Sequence, residues 1–216
     1  MKSFAVLGLG RFGRELALQL SRQGEDVLAV DRDRKCVDAV ADDVTRAVTA
    51  NFREEDVLEE LGVGSCDVVI LSVGSDLALS VITLMNLKAL GVKHIICKAY
   101  DEMYRDVLQR LGANEVILPE REVAAKLAAR LSSTHLRDYL MLSDNTAIEE
   151  RSTPKSWCNK TIGELRIRNR YKINVIALRR NTETIIAIDA DTTLLPHDVL
   201  VLLGQTKDLQ EIIDMA

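Results

Sequence analysis

Up to about residue 118, short runs of Val, Ile, Leu and Ala alternate with stretches whose apolar residues return every three or four positions. A brief continuous apolar run predicts a strand buried on both faces, and the longer period predicts an amphipathic helix. On this pattern strands fall at 4–7, 26–30, 46–48, 68–72, 94–98 and 115–118, with helices at 11–22, 34–42, 54–61, 77–90 and 103–111. Such alternation predicts an α/β fold with a doubly wound, Rossmann-like parallel sheet. Its ligand crevice would open at the carboxyl ends of the strands.

The rhythm changes after Pro119. The alanine-rich "EREVAAKLAARL" predicts a helix that either lies on its own sheet or crosses over to dock another helix. "SSTHLRD" then breaks the pattern, and the boundary is placed there: a nucleotide-binding domain over 1–134, including the crossover helix, and a small C-terminal α+β lobe over 135–216. In that lobe 139–152, 173–180, 184–190 and 198–204 read as strands. The stretch 161–172 reads as one helix, opened by Thr161 and Glu164 as a capping box. Helix 77–90 is apolar nearly all round, so it expects cover from the sheet on one face and from a partner subunit or the C-terminal lobe on the other.

Composition narrows the classes. The 216 residues are 47% hydrophobic and 28% charged, as in an ordinary folded protein, so disorder is not expected. A net charge of −5 gives no overall attraction to nucleic acid or anionic lipid, so any anion site must be local. The four cysteines are widely spaced with no C-x-x-C pair, which favours reduced thiols and a cytoplasmic setting. No basic-then-apolar leader opens the chain, and the longest apolar helical stretch is shorter than the roughly 20 residues that span a bilayer.

Gly8, Gly10 and Gly13 form G-x-G-x-x-G where the first strand gives way to the first helix. The first glycine permits the turn, the second lets phosphate approach the backbone, and the third brings helix and sheet together. Free N–H groups at the helix start then hold the anion. Asp31 ends the next strand about 20 residues further on, where an acid bonds a ribose diol; alone, it could also cap the following helix. Arg32 beside it could accept a 2′-phosphate or cover the adenine face. Arg11 and Phe12 lie inside the loop, and Arg11 adds a positive charge that tilts the ligand toward ADP or ATP, or is simply exposed. Asn51 and Phe52, after the third strand, face the adenine end or form a turn. "SVGSD" places Val73, Gly74 and Ser75 at the crevice, with Ser75 or Asp76 capping the next helix, and Lys98 ends the fifth strand within reach of a phosphate or of solvent.

Taken together, "FAVLGLGRFGRELALQL", "VLAVDRDRKCVDAVAD", "VTANFREEDVLEELGV", "ICKAYDEMYRDVLQRLGANEVILPE" and "IGELRIRNRYKINVIALRR" resemble the cytosolic regulatory subunits of Ktr/Trk potassium-uptake systems, over essentially the whole chain. These subunits are built from domains that regulate conductance of K⁺, the RCK domains. The resemblance implies homodimers assembled into a ring, often an octamer, at the inner face of the cell membrane on a separate membrane-embedded potassium transporter. It implies competition of ATP and ADP for the glycine loop, with Arg11 at the terminal phosphate, Asp31 on the ribose and Lys98 on phosphate. It further implies Mg²⁺ or Ca²⁺ at Glu120, and cyclic di-AMP at Ile167, Arg168 and Asn174. At Arg166 this chain departs from the pattern, which has an acid there.

An enzyme would need an acid, base or nucleophile placed in the crevice. His94, His135 and His197 all lie elsewhere in the pattern, so a non-catalytic, nucleotide-sensing role is expected. An NAD(H) sensor is the alternative, and an NAD-dependent oxidoreductase a more distant one.

Overall fold

The computed structural model describes residues 1–132, 136–143 and 145–212. The chain divides into two compact units, Met1–Glu120 and Arg121–Ala216. The break expected at 134/135, and His135 with it, lie outside the described residues.

The first unit is the expected α/β fold. Strands β1 (Ser3–Leu7), β2 (Asp26–Asp31), β3 (Arg46–Thr49), β4 (Val68–Leu71), β5 (Ile95–Lys98) and β6 (Glu115–Ile117) pair in parallel in the order β3-β2-β1-β4-β5-β6. Helices α1 (Arg11–Arg22), α2 (Arg34–Asp38), α3 (Glu55–Glu60), α4 (Leu77–Ala89) and α5 (Glu102–Arg110) connect them. Alternate strand residues serve two cores. Ala5, Leu7, Leu28 and Val30 join Leu58, Leu84, Leu87 and Leu108 on one side; Val6, Val27 and Ala29 join Ala17 and Val37 on the other. Burial on both faces is why these strands read as continuous apolar runs. The order reverses between β1 and β4, which sets the crevice at the ends of those two strands.

One expected helix differs in length. Helix α2 stops at Asp38 rather than residue 42, because Val40 and Asp43 donate to carbonyls three residues back and tighten the chain into turns. Helix α4 forms as expected, apolar on nearly every side, and where Ser80 and Thr83 interrupt it they are buried, the Ser80 hydroxyl donating to the Val73 and Asp76 carbonyls.

Helix α6 (Pro119–Ser132) spans the break between the units. The second unit holds β7 (Leu136–Ser143), β8 (Thr146–Ser152), α7 (Ile162–Leu165), α8 (Ile167–Tyr171), β9 (Asn174–Arg180), β10 (Glu183–Ile185), β11 (Val199–Gln205) and α9 (Thr206–Gln210). Its sheet is antiparallel in the order β10-β9-β11-β8-β7. Leu178, Leu200 and Leu202 pack with Trp157, Leu165, Ile167 and Leu209 beneath it. The capping box forms as expected, Thr161 with Glu164, but the single helix read over 161–172 does not. Arg166 adopts a left-handed conformation (φ 46°) and splits it into α7 and α8. Strand β10 also ends at Ile185, short of the expected residue 190, with Ile186 exposed beyond it.

Candidate functional site: a nucleotide cleft at the sheet's switch point

Strand β1 delivers the chain to Gly8, whose φ of +95° turns it off the sheet while its N–H stays bonded to Val30 O at 2.8 Å. Gly13 then lies so close that a Cβ there would sit 1.9 Å from Gly8 O. Only glycine allows α1 to start against the strand end. At Gly10 the opposite holds: a Cβ would find no atom within 4 Å, so this backbone faces open space. Gly10 caps α1 without a side-chain acceptor, which leaves first-turn N–H groups for an external anion.

The loop is tied to β2 by Asp31. Its Oδ2 accepts Leu9 N–H at 2.6 Å and its Oδ1 accepts Asp33 N–H at 2.9 Å. Asp33, not Asp31, caps α2, accepting from Lys35 N–H at 2.9 Å. The acid that ends β2 therefore holds the glycine loop while still lining the cleft.

A cleft of about 670 Å³ opens beside the loop. It brings together Gly8, Gly10, Asp31, Arg32, Phe52, Val73, Gly74, Ser75, Lys98 and Glu120 of the residues singled out in the sequence. Phe52 is buried, and a smaller hollow of about 140 Å³ adjoins, lined by Asn51, Arg53, Arg32, Phe52, Asp76 and Leu79. Asn51 also serves its own turn, accepting from Arg53 N–H at 3.4 Å and donating to Glu54 at 3.1 Å. Arg11, Phe12 and Gly13 do not line the cleft. Arg11 is exposed, Gly13 is buried under the loop, and the Phe12 ring centroid lies 5.8 Å from Lys98 Nζ.

Lys98 reaches across to Glu120, Nζ to Oε1 at 2.6 Å, and this hydrogen bond holds the Glu120 carboxyl below the usual carboxylate range. Among the described residues no group of three His, Cys, Asp or Glu side chains converges as a metal would require. The Glu120 carboxylate that a cation would meet is already paired with Lys98.

Sequence spacing did not flag Asp33, Cys36, Ser72, Leu79 or Tyr100 as cleft residues, and had Asp76 only as a cap. Asp76 does cap α4, accepting Leu79 N–H at 2.9 Å. The Ser72 hydroxyl is buried and has no hydrogen-bond partner among the described residues. Burial, then the charges of Asp31 and Asp33, push the Cys36 thiol up from its ordinary range. No histidine lines the cleft among the described residues.

In the second unit the three residues matched to cyclic di-AMP have different settings. Arg168 is exposed on α8, Asn174 is half-buried at the start of β9, and the Ile167 side chain belongs to the core.

Comparison with known proteins accounts for both units. The TrkA-N domain model matches residues 4–119 and the TrkA-C domain model residues 147–216. Ktr system potassium uptake protein C of Bacillus subtilis is 35% identical over 208 residues, 96% of this chain and 94% of that protein. Ktr system potassium uptake protein A of Vibrio alginolyticus is 32% identical over 208 residues, again 96% and 94%. Among solved structures the GsuK RCK domain superposes with a TM-score of 0.70 at 18% identity, over 99% of this chain and 47% of that one. A GsuK channel bound to NAD gives 0.70 at 19%, over 99% and 39%. The chain thus spans less than half the length of these structural neighbours, which bear on its fold alone. With both domain models matched in order and full-length relatives above 30% identity, the chain belongs to the KtrA/TrkA-like family of TrkA-N/TrkA-C proteins.

Proposed function

We propose that this chain is a nucleotide-sensing regulatory subunit of a potassium-uptake system, and that it performs no chemistry on its ligand. The observation that carries the reading is the pairing of a filled and an open glycine: Gly13 locks α1 against the loop while Gly10 leaves the helix start facing the cleft. The relatives' names supply the process, potassium uptake.

In this reading an ADP or ATP lies with its phosphates on the amides of Gly10 and the first turn of α1. The ribose diol lies on Asp31 and the base at Phe52. Lys98 supplies cationic charge toward the phosphates, with Val73, Gly74 and Ser75 as the opposite wall. Arg11, exposed beyond the cleft, meets a terminal phosphate only when the ligand extends past the loop or belongs to a neighbouring subunit. A divalent cation, Mg²⁺ or Ca²⁺, would be held at Glu120 and would need the nucleotide's phosphate oxygens to complete its ligands. Such a cation would screen the phosphate charges from the carboxylate.

Chains associate as homodimers within a ring on a membrane-embedded transporter at the cytoplasmic face. Val123, Leu127 and Leu131 support association: spaced every four residues along α6, they form an exposed apolar strip of the kind that packs against another helix. Among the described residues no helix is long and apolar enough to cross a membrane. Regulation follows if ATP and ADP bind two arrangements of the ring with different affinities, since only that difference moves the equilibrium.

The NAD(H)-sensing version is supported by one observation: the cleft continues past the loop to Lys98 and Tyr100, leaving room on both sides of the phosphate site. Small-angle scattering of the purified chain saturated with ATP, ADP or NADH tests the reading. Distinct curves for ATP and ADP are expected, and superimposable curves for all three would remove the proposed switch.

A further inference from the structure

The hollow next to Phe52 is a built recess. Phe52 and Leu79 give it apolar walls, and Asp76 is the one carboxylate among its six lining residues. Arg32, Phe52, Asp76 and Leu79 also line the main cleft, so the recess adjoins the cleft across these side chains. Asp76 uses Oδ1 to cap α4 through Leu79 N–H. Its Oδ2 has no partner among the described residues.

We propose that Asp76 is the base-selecting residue of this site, its free oxygen accepting the exocyclic amine of adenine while Phe52 and Leu79 hold the ring. The inference rests on the adenine-nucleotide reading above. The chemistry separates the purines. Adenine presents an N–H donor at position 6, whereas guanine and hypoxanthine present a carbonyl oxygen there, which a carboxylate repels. Guanine's N1–H and 2-amino donors can also meet a carboxylate, but only if the base shifts from the pose that points position 6 at Asp76. A hydrogen bond to a charged acceptor carries enough energy to discriminate by about tenfold or more.

Calorimetric titration of ADP, IDP and GDP into the full chain and into Asp76→Asn tests this. Asparagine caps a helix as well as aspartate does, so α4 is retained, and a melting curve of the unliganded variant verifies it. The wild type should prefer ADP over IDP and GDP by tenfold or more. Asp76→Asn, whose amide can also donate to a 6-oxo group, should reduce that ratio severalfold. Equal affinity of the wild type for the three diphosphates, or an unchanged ratio in Asp76→Asn, would overturn the assignment while leaving nucleotide binding in place. Absence of ADP binding to the wild type would instead remove the reading on which it rests.

Discussion

Asp31 and Leu9 are joined at 2.6 Å, carboxylate oxygen to backbone N–H, so the acid that ends β2 sets the position of the loop that follows β1. One side chain thus does two things, holding the loop and facing the cleft. Replacing it by alanine removes a charge-assisted bond. Asp31→Ala should lower stability by about 1–2 kcal/mol and weaken ADP at least tenfold. Asp31→Asn keeps an acceptor for Leu9 and should preserve more of the stability. Paired thermal melts and titrations check the separation, and equal loss in both variants would deny the tie to Leu9.

The two inner glycines should fail in opposite ways. Gly13→Ala drives a methyl to within 1.9 Å of Gly8 O, so backbone must move, and a loss above about 2 kcal/mol in a denaturant melt is expected. Gly10→Ala meets no protein atom and has an ordinary φ of −60°. It should cost about 1 kcal/mol or less as a poorer cap, yet abolish nucleotide binding by filling the phosphate's place.

Lys98 is partly neutralised by Glu120, so removing the acid should release positive charge into the cleft. Glu120→Gln is expected to tighten ADP severalfold in metal-free buffer, and to erase any strengthening that Mg²⁺ or Ca²⁺ brings to ATP. Titration with and without metal reads both effects. Weaker ADP binding in the variant would contradict the charge argument.

The second unit carries its own acid-sensitive lock. Asp198 is buried and takes two bonds from Arg180, at 2.8 and 2.7 Å, with Leu195 N–H at 2.8 Å. The Arg180 hydrogen bonds hold its carboxyl below the usual range. A depressed carboxyl contributes stability that is complete above the unfolded value, near 3.9, and disappears as pH falls through the folded one. Asp198→Asn should therefore cost about 1–3 kcal/mol at neutral pH and lose less than the wild type below about pH 4. Melts across pH 2.5 to 7 would show parallel curves if the pair were inert.

Arg11 lies outside the cleft at the first position of α1, next to the Gly10 cap, the place for a sensor of phosphate number. Arg11→Ala should retain ADP affinity while narrowing the ATP-to-ADP difference. Full discrimination in the variant would take Arg11 out of the mechanism.

Much of the first unit was legible because its signals are local. Glycine spacing fixes a strand–turn–helix, and the end of β2 places Asp31 regardless of the rest of the chain. The ends of β4 and β5 were legible at the crevice, but Tyr100, two residues past β5, and Leu79, inside α4, carry no sequence signal that points them into the cleft. Arg166 shows the other limit: no glycine or proline marks the split between α7 and α8. Continuous helical propensity there yields to the burial of Leu165 and Ile167 on either side of a left-handed residue. The shortened β10 has the same origin, since it pairs with β9 over three residues only and Ile186 finds nothing to cover it.

The most direct measurement is calorimetric titration of ADP into the unmodified chain and into Gly10→Ala side by side. Saturable binding of one nucleotide per chain, absent from the folded variant, is the expected result. No heat from the unmodified chain, or equal binding by both proteins, would contradict a phosphate site built on the open backbone of Gly10.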